Sequence, residues 1–164
     1  MKKGILVVSF GTSHLDTMEK TIDVIERDVS RECRVYRAFT SRMIIRKLKR
    51  TENMAVDTVE EAVKRMASDG IEDVIVQPTH IINGIENDRM MEDLMENMSC
   101  FKRIRVGKPL LSSVDDYKKS IHAVMAETEL SDDEMLVLMG HGTDHHANAA
   151  YPTLEYTFHA LGYN

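Results

Sequence analysis

Four short apolar runs, at residues 5–10, 34–39, 74–77 and 104–106, are each followed by a longer segment whose apolar residues recur three and four positions apart. The first pattern marks a strand, the second a helix with one buried stripe. Strand and helix alternate four times, which leaves one architecture: a parallel sheet with helices packed on its faces. The expected fold class is α/β, a three-layer α/β/α sandwich. A fifth run, residues 135–139, is apolar at every position. That is the pattern of a strand buried on both faces.

Punctuation supports these elements. The first helix carries Leu15, Met18, Ile22, Ile25 and Val29 on one stripe, with Ser13 and Asp16 spaced like a capping pair. Thr40 or Ser41 is placed to cap the second helix, Asp57 and Thr58, with Glu60 and Glu61 three residues on, to open the third, and Asp69-Gly70 to close it. Ser113 is placed to cap a helix carrying Tyr117, Ile121, Val124 and Met125.

The fifth run ends in Gly140-His141-Gly142, followed by His145 and His146. The two glycines permit a sharp turn and leave space around the side chain between them. An imidazole is thereby expected at the carboxyl end of a strand, where open parallel sheets place their ligands. A loop histidine that only bonds its neighbours is the plainer alternative. The third strand exits into Pro78-Thr79-His80-Ile81-Ile82-Asn83-Gly84-Ile85-Glu86, which is expected to put His80 and Glu86 at the same edge of the sheet that carries His141. The turn Gly11-Thr12-Ser13 could hold an anion on its amides, although many strand-to-helix turns look alike. Arg42, Arg46, Lys47, Lys49 and Arg50 give five positive charges in nine positions with no acid among them. Arg42, Arg46 and Arg50 share one helix face, either as a solvated surface or as a landing site for a polyanionic small molecule.

Composition removes several classes. A net charge of −6 argues against nucleic-acid binding by a basic surface. No segment approaches the length of a membrane span, and the apolar run at the start is too short for a secretory signal. Cys33 and Cys100 show neither metal spacing nor a disulfide framework, which fits free thiols in a reducing compartment. A cytoplasmic protein is the expectation.

Residues 5–14, ILVVSFGTSH, and residues 136–145, LVLMGHGTDH, echo one another as apolar strands ending in Gly-Thr-x-His. On this pattern residues 1–130 form one α/β domain. Residues 131–164 form the first strand and helix of an incomplete second one.

The segments SFGTSH, RAFTSRMIIRKL, HIINGIE, PLLSS and MGHGTDHHANAAY occur in order across essentially the whole chain. They resemble the corresponding segments of the anaerobic sirohydrochlorin cobaltochelatases, class II tetrapyrrole chelatases of the cobalt-early cobalamin pathway. The resemblance implies a chelatase-like fold of flavodoxin-like topology, with two similar domains in one chain and a tetrapyrrole cleft between them. It implies an ATP-independent lyase that inserts Co²⁺ into sirohydrochlorin. It implies that His141 is a metal ligand and base, and that Glu86 is its acidic partner at the metal. A second metal-binding histidine of the family falls outside the matched residues.

Those residue types suit the reaction. A neutral imidazole accepts protons near pH 7 and binds borderline metals, and a carboxylate adds charge for the cation. The same ligands serve Ni²⁺ and Fe²⁺ as well as Co²⁺. Location suggests that Gly11, Thr12, Ser13, Arg42, Arg46, His80, Ser112 and Ser113 contact the polycarboxylate macrocycle. No Walker-type phosphate loop is visible, so no nucleotide is expected. Two alternatives stand beside this reading: a tetrapyrrole- or metal-binding module without turnover, as an inactive part of a chelatase, and a flavodoxin-like phosphate binder. Two copies could also pair to rebuild a two-sided cleft, giving a homo-oligomer.

Overall fold

A computed structural model of the chain describes residues 1–131 and 134–163. The elements run β1 (Lys3–Ser9), α1 (Leu15–Lys20), α2 (Ile22–Val29), β2 (Arg34–Phe39), α3 (Arg42–Thr51), α4 (Val59–Ser68), β3 (Asp73–Pro78), α5 (Ile85–Asn97), β4 (Arg103–Val106), α6 (Val114–Glu127) and α7 (Ala150–Ala160). They fall into two compact units, Met1–His80 with Glu86–Lys108, and Ile81–Ile85 with Pro109–Asn164.

The first unit holds a four-stranded parallel sheet in the order β2-β1-β3-β4. β1 is central and buried from Gly4 to Ser9, because helices cover both of its faces. On one face Leu6, Val8, Tyr36, Ala38, Val74 and Val76 pack with Val59, Ala62, Val63 and Met66 of α4 and Met90 and Leu94 of α5. On the other, Phe39 packs with Met18, Ile22 and Leu48 from α1, α2 and α3. This is the three-layer α/β/α sandwich expected from the alternation.

Caps set the helix starts. Ser41 Oγ accepts from the Ile44 amide at 3.4 Å. Thr58 and Glu61 form a reciprocal capping box at the start of α4. Gly70, at φ +72°, ends the same helix. At the amino end of the sheet the Asp73 carboxylate is fully buried, and Arg103 and Arg105 converge on it. Hydrogen bonding from Arg103 outweighs burial and pulls its pKa down to about 2.

Three expectations are corrected. The helix expected as one piece from Leu15 to Val29 breaks at Thr21, which has φ −125° and ψ −78° and separates α1 from α2. Its hydroxyl donates to the Thr17 carbonyl at 2.6 Å, a local bond that competes with the helical ladder. The expected Ser13–Asp16 cap is absent: His14 is the N-cap, with no side-chain bond, and Thr12 Oγ1 accepts from the His14 amide instead. Residues 135–139 form no strand, and Met135, Val137, Leu138 and Met139 are exposed, Met139 at 95%. An apolar run becomes a strand only where a neighbour takes its backbone hydrogen bonds and layers cover its faces. No described strand pairs with it.

Within the second unit, Leu111, Tyr117 of α6 and Ala150 of α7 form a small core, joined by Ile82 and Leu154. Asp132 and Asp133 lie outside the described residues. Among the described residues no helix is long and apolar enough to cross a membrane.

Candidate functional site

The strand order places a topological switch between β1 and β3, because the chain leaves β1 toward β2 on one side and returns to β3 on the other. Ligands of open parallel sheets bind outside the carboxyl ends of strands at such a point. The register pairs Ser9 with Phe39 and Val8 with Pro78, so three strands end at one edge. The segments leaving β2 and β3 are stitched onto the end of β1. The Thr40 amide donates to the Ser9 carbonyl and the Thr79 amide to the Val8 carbonyl, at 2.9 and 2.8 Å. The Thr79 hydroxyl donates to Ser9 Oγ at 2.9 Å.

Around this edge stand seven of the residues singled out by sequence. Gly11 has φ +96°, and a Cβ there would sit 2.4 Å from Phe39 Cδ2. Only glycine permits both the turn and the close approach. Thr12 and Ser13 follow it in the loop before α1, half-buried. Arg42 and Arg46 project from the first turns of α3, exposed. Arg42 is close enough to Asp93 to oppose the rise in pKa that burial imposes on that carboxyl. His80 lies two residues past the end of β3, and Glu86 is in the first turn of α5.

His80 and Glu86 form the chemically distinctive pair. Neither His80 Nδ1 nor Nε2 has a hydrogen-bond partner, and both are shielded from solvent. Burial pushes the His80 pKa down and the Glu86 charge opposes that shift only in part. The imidazole is therefore held in its neutral form, with a lone pair available. Glu86 Oε1 accepts from Arg89 Nη1 at 2.9 Å, while its Oε2 is buried and unpartnered. One imidazole and one anchored carboxylate make a donor set for a borderline divalent cation. Among the described residues no three His, Cys, Asp or Glu side chains converge as a metal cage.

The second unit carries His141, Ser112 and Ser113. His141 is exposed between Gly140 and Gly142. Gly142 has φ +73°, and a Cβ on Gly140 would sit 2.2 Å from Tyr151 Cε1. Asn148 Oδ1 accepts from the Thr143 amide at 3.3 Å, closing the loop that follows. His145 Nδ1 accepts from the Ala147 amide, and its ring lies 3.9 Å from that of His146. The Ser112 hydroxyl donates to the Pro109 carbonyl at 2.6 Å. Ser113 caps α6, donating to Asp116 Oδ2 and accepting from the Asp116 amide. Both serine hydroxyls thus spend their proton on local bonds and keep only acceptor capacity.

Sequence reasoning did not find the Thr79–Ser9 link, the Tyr151 ring over Gly140 or the Asn148 contact. The bond spanning residues 9 and 79 has no local signature. The aromatic next to Gly140 could have been suspected only from the glycine itself.

In fold, the chain is similar to a crystal structure described as a cobalamin (vitamin B12) biosynthesis CbiX protein from Marinobacter aquaeolei, with a TM-score of 0.52 at 16% identity, covering 76% of this chain and 95% of that one. That likeness defines the fold as an α/β sandwich. The chain belongs to the cobalt chelatase (CbiK) family, whose model matches residues 3–164. It is 44% identical over 160 residues to a sirohydrochlorin cobaltochelatase from Salmonella typhimurium, covering 95% of this chain and 61% of that protein. It is 33% identical over 160 residues to the sirohydrochlorin cobaltochelatase CbiKC from Nitratidesulfovibrio vulgaris, covering 93% of this chain and 56% of that protein. The chain therefore spans roughly three fifths of the length of these relatives.

Proposed function

We propose that this chain takes part in inserting Co²⁺ into sirohydrochlorin, as a sirohydrochlorin cobaltochelatase. The observation that carries the reading is the imidazole of His80, both of its ring nitrogens buried and unpartnered, beside the Glu86 carboxylate at the switch point of a chelatase-family sheet. The names borne by the two relatives supply the substrate and the metal.

The reaction exchanges charge one for one. A divalent cation enters the macrocycle, and two pyrrole N–H protons leave. Glu86 offers negative charge to the cation. His141, exposed on its glycine turn, offers an imidazole as ligand and proton acceptor. Arg42 and Arg46 offer guanidinium groups to the ring carboxylates, and the Gly11-Thr12-Ser13 turn offers amides. Ser112 and Ser113 would contribute backbone amides and acceptor capacity rather than hydroxyl donors. The exchange draws on no nucleotide, Ni²⁺ and Fe²⁺ compete for the same donor types, and the cytoplasm supplies both substrates.

The test is direct. Mixing the chain with Co²⁺ and sirohydrochlorin should change the tetrapyrrole absorbance at an enzyme-dependent rate, and His141→Ala should abolish that rate while circular dichroism stays unchanged. Turnover unaffected by His141→Ala would remove its role. A second reading, a tetrapyrrole- or metal-binding module without turnover, is favoured by the exposed apolar run at residues 135–139. Tight binding of sirohydrochlorin with no insertion would select it.

A further inference from the structure

Three buried polar atoms in the first unit lack a partner at one place in the chain's path: Nδ1 and Nε2 of His80 and Oε2 of Glu86. Folded proteins pair nearly all such groups, and those left unpaired call for a specific explanation, such as a ligand. The remaining oxygen of Glu86 is already taken by Arg89, which fixes the carboxylate and leaves Oε2 as its presenting atom. Such outer contacts are how proteins orient a metal ligand. The pair follows β3, at the edge where the switch point lies. Arg89 pairs with the other oxygen of the carboxylate, so charge is already balanced there, and what remains unmet is the buried Oε2 with the two ring nitrogens. A water molecule could hydrogen-bond these atoms; a divalent cation would take the carboxylate oxygen and an imidazole nitrogen together as ligands.

We infer that His80 is a nitrogen ligand which, with Glu86 Oε2, forms a holding position for a divalent cation inside the first unit, loaded before the cation passes to the macrocycle. This reassigns His80 from macrocycle contact to metal ligand. Only the identity of the cation and its onward transfer rest on the chelatase reading.

The experiment titrates Co²⁺ alone, without tetrapyrrole, into the full chain. Calorimetry gives the dissociation constant, and paramagnetically shifted ring-proton resonances report imidazole coordination. In the wild type the assigned His80 resonance should be among those shifted. His80→Ala and the bulkier His80→Gln should each weaken Co²⁺ binding about tenfold or more, with loss of one shifted imidazole signal. Circular dichroism and thermal unfolding check the fold of each variant. An unshifted His80 resonance in the wild type overturns the inference, whatever the variants do. Equal affinity in a folded His80 variant overturns it as well and leaves water as the partner. A parallel insertion assay separates the two readings. His80-dependent Co²⁺ binding without insertion removes the chelatase reading and keeps the holding position; insertion with binding indifferent to His80 does the reverse.

Discussion

The ring of Tyr151 lies over Gly140 so closely that a Cβ there would be 2.2 Å from Cε1. The aromatic side chain thus occupies the space that any other residue before His141 would need. Gly140→Ala should displace the turn and lower cobalt insertion by about a hundredfold, the scale of a 1 Å misplacement. Tyr151→Ala in the same chain should restore part of the rate by removing the clash. Insertion kinetics on the single and double variants check this, and an unperturbed single variant contradicts it.

Arg42 and Arg46 project from the exposed side of α3. Reversing both, as Arg42→Glu with Arg46→Glu, should weaken sirohydrochlorin binding about tenfold or more, because each reversal replaces attraction for a carboxylate by repulsion. The wild-type affinity should fall with added salt more steeply than that of the variant. Fluorescence titration of the tetrapyrrole at two ionic strengths gives both quantities.

Asp73 is the buried charge at the other end of the sheet, with a pKa lowered from 3.8 to about 2. A carboxyl depressed on folding stabilises the protein fully above its unfolded value, and that contribution is lost as the pH falls through the folded one. Acid should therefore erode wild-type stability between pH 3.8 and about 2. Asp73→Asn should unfold several degrees lower at neutral pH and lose less on acidification, since it lacks the titrating group and leaves Arg103 and Arg105 without their anion. Thermal scans across this range decide the matter.

Thr58 and Glu61 bond reciprocally at the start of α4. Thr58→Ala should cost about 1 kcal/mol in urea unfolding. Hydrogen bonds from the Thr58 backbone and hydroxyl lower the Glu61 pKa, so this stabilisation is present above the ordinary carboxylate range and fades as the pH drops below it. A Thr58→Ala deficit that is as large in acid as at neutral pH would contradict the role of the ionised Glu61.

Much of the first unit was legible in the chain. The four strands fall where apolar runs end in turn residues, and Ser41, Thr58 and Ser113 cap the helices expected of them. These are local signals, read within one or two helical turns. The break at Thr21 was not legible, because the apolar stripe continues through it and only the hydroxyl's own bond marks it. The run at 135–139 was misread for the opposite reason: five apolar residues specify a wish for burial, not a neighbour that provides it.

The sequence by itself determined the alternation, the caps, the glycine turns and the supply of imidazole, carboxylate and guanidinium groups, because these depend on residue type and short spacing. Tertiary structure alone decided that β1 lies between β2 and β3, that Thr79 ties onto Ser9, and that both ring nitrogens of His80 are shielded from solvent and unmet. Strand order and burial arise from contacts between residues distant in sequence, where cooperative packing, rather than any local preference, selects the arrangement.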